Sequence, residues 1–260
     1  MKIHFYKYHG TGNDFIMIDN RENRFPQDPD IITNLCHRRF GIGADGLILL
    51  QNHSQYDFNM VYFNSDGHQS SMCGNGGRCI VAFAYHLGII KDECKFEAID
   101  GEHSASIISS NKDQATVKLR MQDVNSISHS DGEYFLNTGS PHVVKLVDNV
   151  NCYDVNKHGK DIRNSEKYAP HGTNVNFIEK SGDKLIVRTF ERGVEEETWS
   201  CGTGVTAASI VLSTLEDANE VNIITKGGEL KVYLEKEKNL FTNLYLQGPA
   251  VKTFEGITII

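Results

Sequence analysis

A chain that repeats its own pattern has to fold as two similar halves, and this one is written twice. "MCGNGGRC", residues 72–79, sets Cys73 before a Gly-x-Gly, and "SCGTGVTA", 200–207, sets Cys201 before another, 128 residues later. Helix-like runs follow both, "RCIVAFAYHLG" and "VTAASIVLSTL". Hairpin-like patterns come next, "FEAIDGEHSASI" and "VNIITKGGELKVYL", whose Asp-Gly and Gly-Gly pairs suit tight turns. Gly101 trails Cys73 by 28 residues and Gly228 trails Cys201 by 27. Upstream, "FIMIDN" and "VVKLVDN" end at Asn20 and Asn149, 129 apart, and Gly10 and Gly139 are read as opening the turns before them. Any α/β chain holds strands, turns and helices in some order, but landmarks kept at 127 to 129 residues make chance the poorer account. The pattern predicts two similar α/β halves, each a mainly antiparallel sheet around one helix, with the switch near 115–125.

Bulk properties narrow the function classes. The chain has 260 residues, 26 basic and 34 acidic, for a formal net charge of −8, which speaks against nucleic-acid or anionic-membrane partners. It begins "MKIHFYKYHG", without an apolar h-region, and no apolar run approaches a spanning length. A cytoplasmic location is therefore expected. The six cysteines, at 36, 73, 79, 94, 152 and 201, form no C-x-x-C, and no H-E-x-x-H occurs, so neither a disulfide framework nor zinc is expected. "GIGADG", 41–46, fits the letters of a dinucleotide fingerprint but is followed by the strand-like "LILLQ" where a helix is needed. It reads as a glycine-rich loop. "HGTGND", 9–14, lacks the Lys-Ser/Thr of a phosphate loop.

A lone free cysteine is usually a small buried hydrophobe. Beside Gly-x-Gly at a helix start it stands where backbone N–H groups and the helix dipole favour anions. Two such thiols in duplicated halves suit one chemistry, the removal of a proton from one face of a carbon and its return to the other, as in a two-base racemase or epimerase. Helix N-termini would also stabilise charge developing on an adjacent carboxylate. A thiol redox pair, or a plain binding protein, is the rival from another class.

The motifs "HGTGNDFIMID", "GIGADGLI", "FNSDG", "CGNGGRC", "GSPHVV", "GTNVNF", "ERGVEEETWSCGTG" and "GPAVKTFEG" run nearly the whole length, and with them the chain resembles the diaminopimelate epimerase family of cofactor-independent racemases. The resemblance implies interconversion of LL- and meso-2,6-diaminopimelate, toward lysine and peptidoglycan, without pyridoxal phosphate or metal. A relative acting on proline or another amino acid is the alternative within the class. The resemblance makes Cys73 and Cys201 the acid/base thiols, with His142 near one of them and Glu191 binding the ammonium and tuning a thiol. It gives Gly74, Asn75, Gly202 and Thr203 the α-carboxylate, and Asn13, Asn64, Asn174 and Arg192 the distal amino-acid head. The implied fold is α/β (α+β) with two pseudo-twofold-related halves, each a curved sheet around a central helix. "FEGITII" returns to the first half, so the domains are 1–118 plus 249–260 and 119–248. Family members are often dimers, so a homodimer is expected. Gly46 stands where some members have glutamine, and Ser140 where asparagine is usual. The segment from Gly193 to Cys201, with Glu195, Glu196 and Glu197, is one residue longer than the common form, which points to an altered loop.

Overall fold

The computed structural model describes residues 1–260 and divides into two units, Met1–Leu119 with Gly248–Ile260, and Arg120–Gln247. The first holds β1 (Lys2–Gly10), β2 (Asn13–Asp19), α1 (Pro29–Cys36), β3 (Gly46–Gln51), β4 (Phe58–Asn64), β5 (Gln69–Ser70), α2 (Gly74–His86), β6 (Glu93–Ala98), β7 (Gly101–Ser110) and β8 (Gln114–Arg120). The second holds β9 (Ile127–Ser130), β10 (Glu133–Asn137), β11 (Pro141–Leu146), α3 (Val155–Arg163), β12 (Asn174–Ser181), β13 (Lys184–Glu191), β14 (Glu196–Thr198), α4 (Gly202–Glu216), β15 (Glu220–Thr225) and β16 (Gly228–Glu237). A long β17 (Leu240–Ile259) begins in the second unit and ends in the first.

Within the first unit the pairing closes on itself. β1–β2, β3–β4, β6–β7 and β7–β8 are antiparallel, while β2–β3 and β4–β6 are parallel. The final stretch of β17 then pairs with β8 at Gly248–Val251 and with β1 at Val251–Ile259. Parallel neighbours need a crossover, and the helices supply it: α1 joins β2 to β3, and α2 joins β4 to β6. The second unit repeats the scheme, with β11–β12 and β13–β15 parallel across α3 and α4. Its ring closes where Met121 N–H donates to the Leu244 carbonyl (2.8 Å) and Val124 pairs with Phe241.

The inner helices are buried around their whole circumference, as a helix ringed by strands must be. Every residue of α2 from Gly74 to Ala84 is buried, against β1, β2, β3 and β7. In α4 the hydroxyls of Thr206 and Ser209 turn back to the Gly202 and Val205 carbonyls (2.9 and 2.8 Å), which satisfies polar groups that apolar surroundings would otherwise penalise. The outer helices cover a second core. Ile32 and Leu35 of α1 meet Ile16, Leu47 and Phe63, while Val155 of α3 meets Val143, Val175 and Phe190. β3 is therefore apolar on both faces, and "GLILLQ" reads as a run without alternation.

Strand register corrects two landmarks of the repeat. Phe15 lies opposite Gly46 in the first unit, and His142 opposite Asn174 in the second. The counterpart of Asn20 is thus Val147, each donating its N–H to the end of the neighbouring strand, at Leu50 and Ile178. Likewise Gly139 (φ 105°) matches Gly12 (φ 88°), not Gly10. The turns before these strands also differ in length. Gly10 pairs with Asn13 across two residues, while Asn137 pairs with Pro141 across three, and the flanking strands absorb the difference. The later hairpins turn one residue earlier than their glycine pairs suggested. Ala98 pairs with Gly101, and Thr225 with Gly228. Of the three glutamates before Cys201, Glu195 (φ 63°) lies in the turn after β13, and Glu196 and Glu197 begin β14, antiparallel to β13. Glu197 there pairs with Arg188 at 2.7 Å, its side chain 8 % exposed.

Candidate active site

In the first unit Cys73 is the N-cap of α2, and its Sγ accepts the Gly76 N–H at 3.2 Å. The glycines behind it are closely packed. A Cβ on Gly76 would lie 3.1 Å from Ile48 Cδ1, and one on Gly77 would lie 2.8 Å from Met72 Sδ. Asn13, at the start of β2, sets its Oδ1 3.9 Å from the Cys73 sulfur and 3.3 Å from Asn75 Nδ2. Its own Nδ2 donates to Asp45 Oδ2 at 2.7 Å. Asp45 in turn is held by Arg38 (2.6 Å), which also grips Asp14 (2.7 Å), and Lys7 closes on Asp14 at 2.6 Å. Burial alone would raise the Asp14 carboxyl, but hydrogen bonds and charge from Arg38 and Lys7 outweigh it and hold it down to about 2.

Beneath these amides lies Arg78, fully buried. It donates to the Gly74 carbonyl (3.0 Å), to Asn75 Oδ1 (2.9 Å), to Thr11 Oγ1 (3.3 Å) and to the Pro249 carbonyl (3.4 Å). Burial pulls its pKa down to about 10, so it stays charged at neutral pH. Gly74 and Asn75 open the first turn of α2, where the positive end of the helix dipole favours anions. Asn64 ends β4 directly across from Gly46. A side chain at Gly46 would collide with the Phe63 carbonyl (2.5 Å) and the Tyr62 ring (2.6 Å), which is why glycine stands there.

The second unit repeats this frame with other groups. Cys201 is the N-cap of α4, 7 % exposed, with its Sγ 3.5 Å from Thr203 Oγ1. Asn176 donates to His142 Nδ1 at 3.1 Å and to the Val143 carbonyl at 2.9 Å, while its Oδ1 accepts from Thr189 at 2.9 Å. Nδ1 of His142 is thereby an acceptor, so the ring proton sits on Nε2. Nε2 reaches Thr203 Oγ1 at 2.9 Å and Ser140 Oγ at 3.0 Å. Complete burial, and secondarily the charge of Arg192, pulls the His142 pKa down to about 3. The imidazole is neutral at physiological pH, and Thr203 Oγ1 lies between it and the Cys201 sulfur.

Asn174 opens β12 and holds Ser140 Oγ (3.1 Å), the Pro141 carbonyl (3.0 Å) and, through Oδ1, the Arg192 N–H (2.9 Å). The Arg192 guanidinium lies 3.3 Å from the His171 carbonyl. Glu191, half-buried, ends β13 opposite Glu196. The first unit therefore gathers Cys73, Gly74, Asn75 and Asn13, and the second gathers Cys201, Gly202, Thr203, His142, Asn174 and Arg192. Three further contributors lie inside the quoted motifs with no role assigned to them there. Thr11 and Arg78 support Asn75, and Asn176 sets the His142 tautomer. The strand period was the available signal for Asn176, since it faces α4 on the same side as Asn174.

The comparisons with known proteins agree with one another. A family model described as "Diaminopimelate epimerase" matches residues 5–127 and 134–253. A diaminopimelate epimerase of Flavobacterium psychrophilum is 51% identical over 254 residues, covering 96% of this chain and 98% of that one. One of Aquifex aeolicus is 38% identical over 275 residues, covering 98% and 97%. Among solved structures, a phenazine biosynthesis protein of the PhzF family from Bacillus anthracis aligns over 100% of both chains with a TM-score of 0.78 at 17% identity. A hydroxyproline epimerase from Agrobacterium vitis, with bound trans-4-OH-L-proline, aligns over 99% of this chain and 92% of that one with a TM-score of 0.72 at 13% identity. At those identities the structures attest the fold alone.

Proposed function

The chain belongs to the diaminopimelate epimerase family, and from that premise we propose that it interconverts LL- and meso-2,6-diaminopimelate by proton transfer between two thiols. The observation that carries the two-thiol reading is the cysteine N-cap at the head of each buried inner helix. In the proposed step, the thiolate of one cysteine takes the α-proton, and the C–H electron pair passes into the adjacent carboxylate. The S–H of the other cysteine then returns a proton to the opposite face. The carbanion needs stabilisation as it forms. Backbone N–H groups at Gly74, Asn75, Gly202 and Thr203 supply it, each donor of this kind contributing about 10²–10³-fold. Glu191 binds the reacting ammonium and tunes a thiol. Asn13, Asn64, Asn174 and Arg192 read the distal head, and His142 fixes the Thr203 hydroxyl against Cys201. The enzyme works without a cofactor, as a homodimer in the cytoplasm. Sedimentation of the purified protein tests the dimer.

The test of the reaction is LL-diaminopimelate turned over in D2O without pyridoxal phosphate and stopped early. Separate donor and acceptor thiols put deuterium into the meso product while the remaining LL substrate stays nearly unlabelled. Deuterium entering the recovered LL substrate at the same rate defeats the two-thiol mechanism. Activity on proline alone defeats the substrate assignment, and no α-proton exchange at all supports the redox or binding alternative.

A further inference from the structure

The donors and acceptors around Cys73 form a chain with fixed ends. Arg78 and Thr11 both point at Asn75 Oδ1 (2.9 and 3.3 Å), Asn75 Nδ2 points at Asn13 Oδ1 (3.3 Å), and Asn13 Nδ2 points at Asp45 Oδ2 (2.7 Å). A guanidinium can only donate and a carboxylate can only accept. Reversing Asn75 would set its NH2 against Arg78, and reversing Asn13 would set its carbonyl against Asp45. The second unit has no such need, because Ser140 and Thr203 hold the corresponding places with hydroxyls 3.4 Å apart that can rotate. We infer that Arg78 and Asp45 are positioning residues that together fix the sense of the Asn75 and Asn13 amides, so that Asn13 presents its oxygen, not its NH2, to the Cys73 sulfur. Both lie outside the substrate-binding set. Arg78 is fully buried, and Arg38 anchors Asp45 from its other oxygen.

This inference rests on the proposed epimerisation for its kinetic readout, and a double-mutant cycle isolates it. Asp45→Asn keeps size and shape but lets the end of the chain donate as well as accept, so the expected loss in kcat/KM is roughly tenfold, the worth of one charge-assisted hydrogen bond. In the Asn13→Ala background there is no amide left to orient, and Asp45→Asn then changes kcat/KM by less than about twofold. Arg78→Lys is paired with Asn75→Ala in the same way. Where Arg78→Lys does not fold, Thr11→Val removes the other donor to the same oxygen. A silent Asp45→Asn, or an equal loss with and without Asn13, overturns the proposal and leaves Asp45 as a brace for Arg38. The side-chain NH2 signals of Asn13 in an NMR spectrum give a readout free of turnover. They move in Asp45→Asn and in Arg78→Lys alike if the chain is continuous. Inactive wild-type protein with those shifts intact would sink the epimerase reading and spare the positioning role. An active enzyme whose Asn13 signals ignore both substitutions would do the reverse.

Discussion

The two units use one backbone plan for two different chemistries. In the first, Phe15, Ile48 and Tyr62 occupy places that His142, Asn176 and Thr189 occupy in the second, by strand register. Phe15 and Tyr62 meet edge to face with ring centroids 5.8 Å apart, whereas their counterparts form a hydrogen-bonded network. One turn into the inner helix the contrast reverses. The first unit buries the charge of Arg78 where the second has Thr206, whose hydroxyl bonds its own helix. The strand side of the frame is thus apolar in the first unit and hydrogen-bonded in the second, while the helix side carries a buried charge only in the first. What has been kept between the halves is the N-cap and the glycines. The groups that hold the cap in place are free to differ, provided each set is internally satisfied.

The largest effect is expected where the halves are alike. On the proposed two-thiol mechanism, Cys73→Ala and Cys201→Ala should each lower kcat on the order of 10³-fold or more. Steady-state epimerisation measures it, and a surviving single mutant would mean the halves are not equivalent in chemistry.

Making the second unit resemble the first should cost stability. Asn176→Leu leaves His142 Nδ1 and the Thr189 hydroxyl buried without their partner, a loss of about 1–3 kcal/mol per orphaned group. Urea unfolding should show it as a lower midpoint with an unchanged slope.

pH separates the halves by window. His142 takes its proton near pH 6.5 when unfolded but only near 3 when folded, so the unfolded state binds more protons between those values. Stability then falls as pH drops from 6.5 toward 3, at up to about 1.4 kcal/mol per pH unit from this residue. His9 and His86 of the first unit are lowered by burial too and add in the same direction. His142→Gln should flatten the slope of stability against pH between 6 and 4. Asp14 works in a lower window. Its folded pKa is depressed to about 2, so its contribution is complete above the ordinary carboxyl range near 3.8 and disappears as pH falls through 2. Asp14→Asn should flatten only that acid limb, by on the order of 1–2 kcal/mol. Thermal melts across pH check both signs.

The smallest effect is one of access. Cys152 is exposed, Cys73 half-buried and Cys201 buried, so brief treatment with iodoacetamide should label them in that order, as read by peptide mass.

Much of this was legible beforehand because the repeat leaves marks that do not depend on packing. A cysteine before Gly-x-Gly needs the same helix start in both halves, and the inner helices and late hairpins followed from it. The matching of Asn20 with Asn149 rested on identical letters, whereas the strand register makes Val147 the counterpart. Arg78 stood in a quoted motif without a role assigned to it. Only the closed ring of strands makes its helix buried on every side. The strand period puts Asn176 on the face of Asn174, but its partnership with Thr189 is made across strands and no spacing along the chain announces that. Gly46 looked like a lost contact, while the crowding of Tyr62 and Phe63 shows it as a place where nothing larger fits.

The strand that ends the chain also sets an order of assembly. Residues 120–247 are contiguous, so the second unit has everything it needs once they have left the ribosome. The first unit begins earlier and is complete later, because β1 and β8 obtain their shared partner only when residues 248–259 emerge. Until then two of its strand edges lack their partner, the kind of surface that recruits other chains. The half translated first is therefore the half whose edges stay open longest.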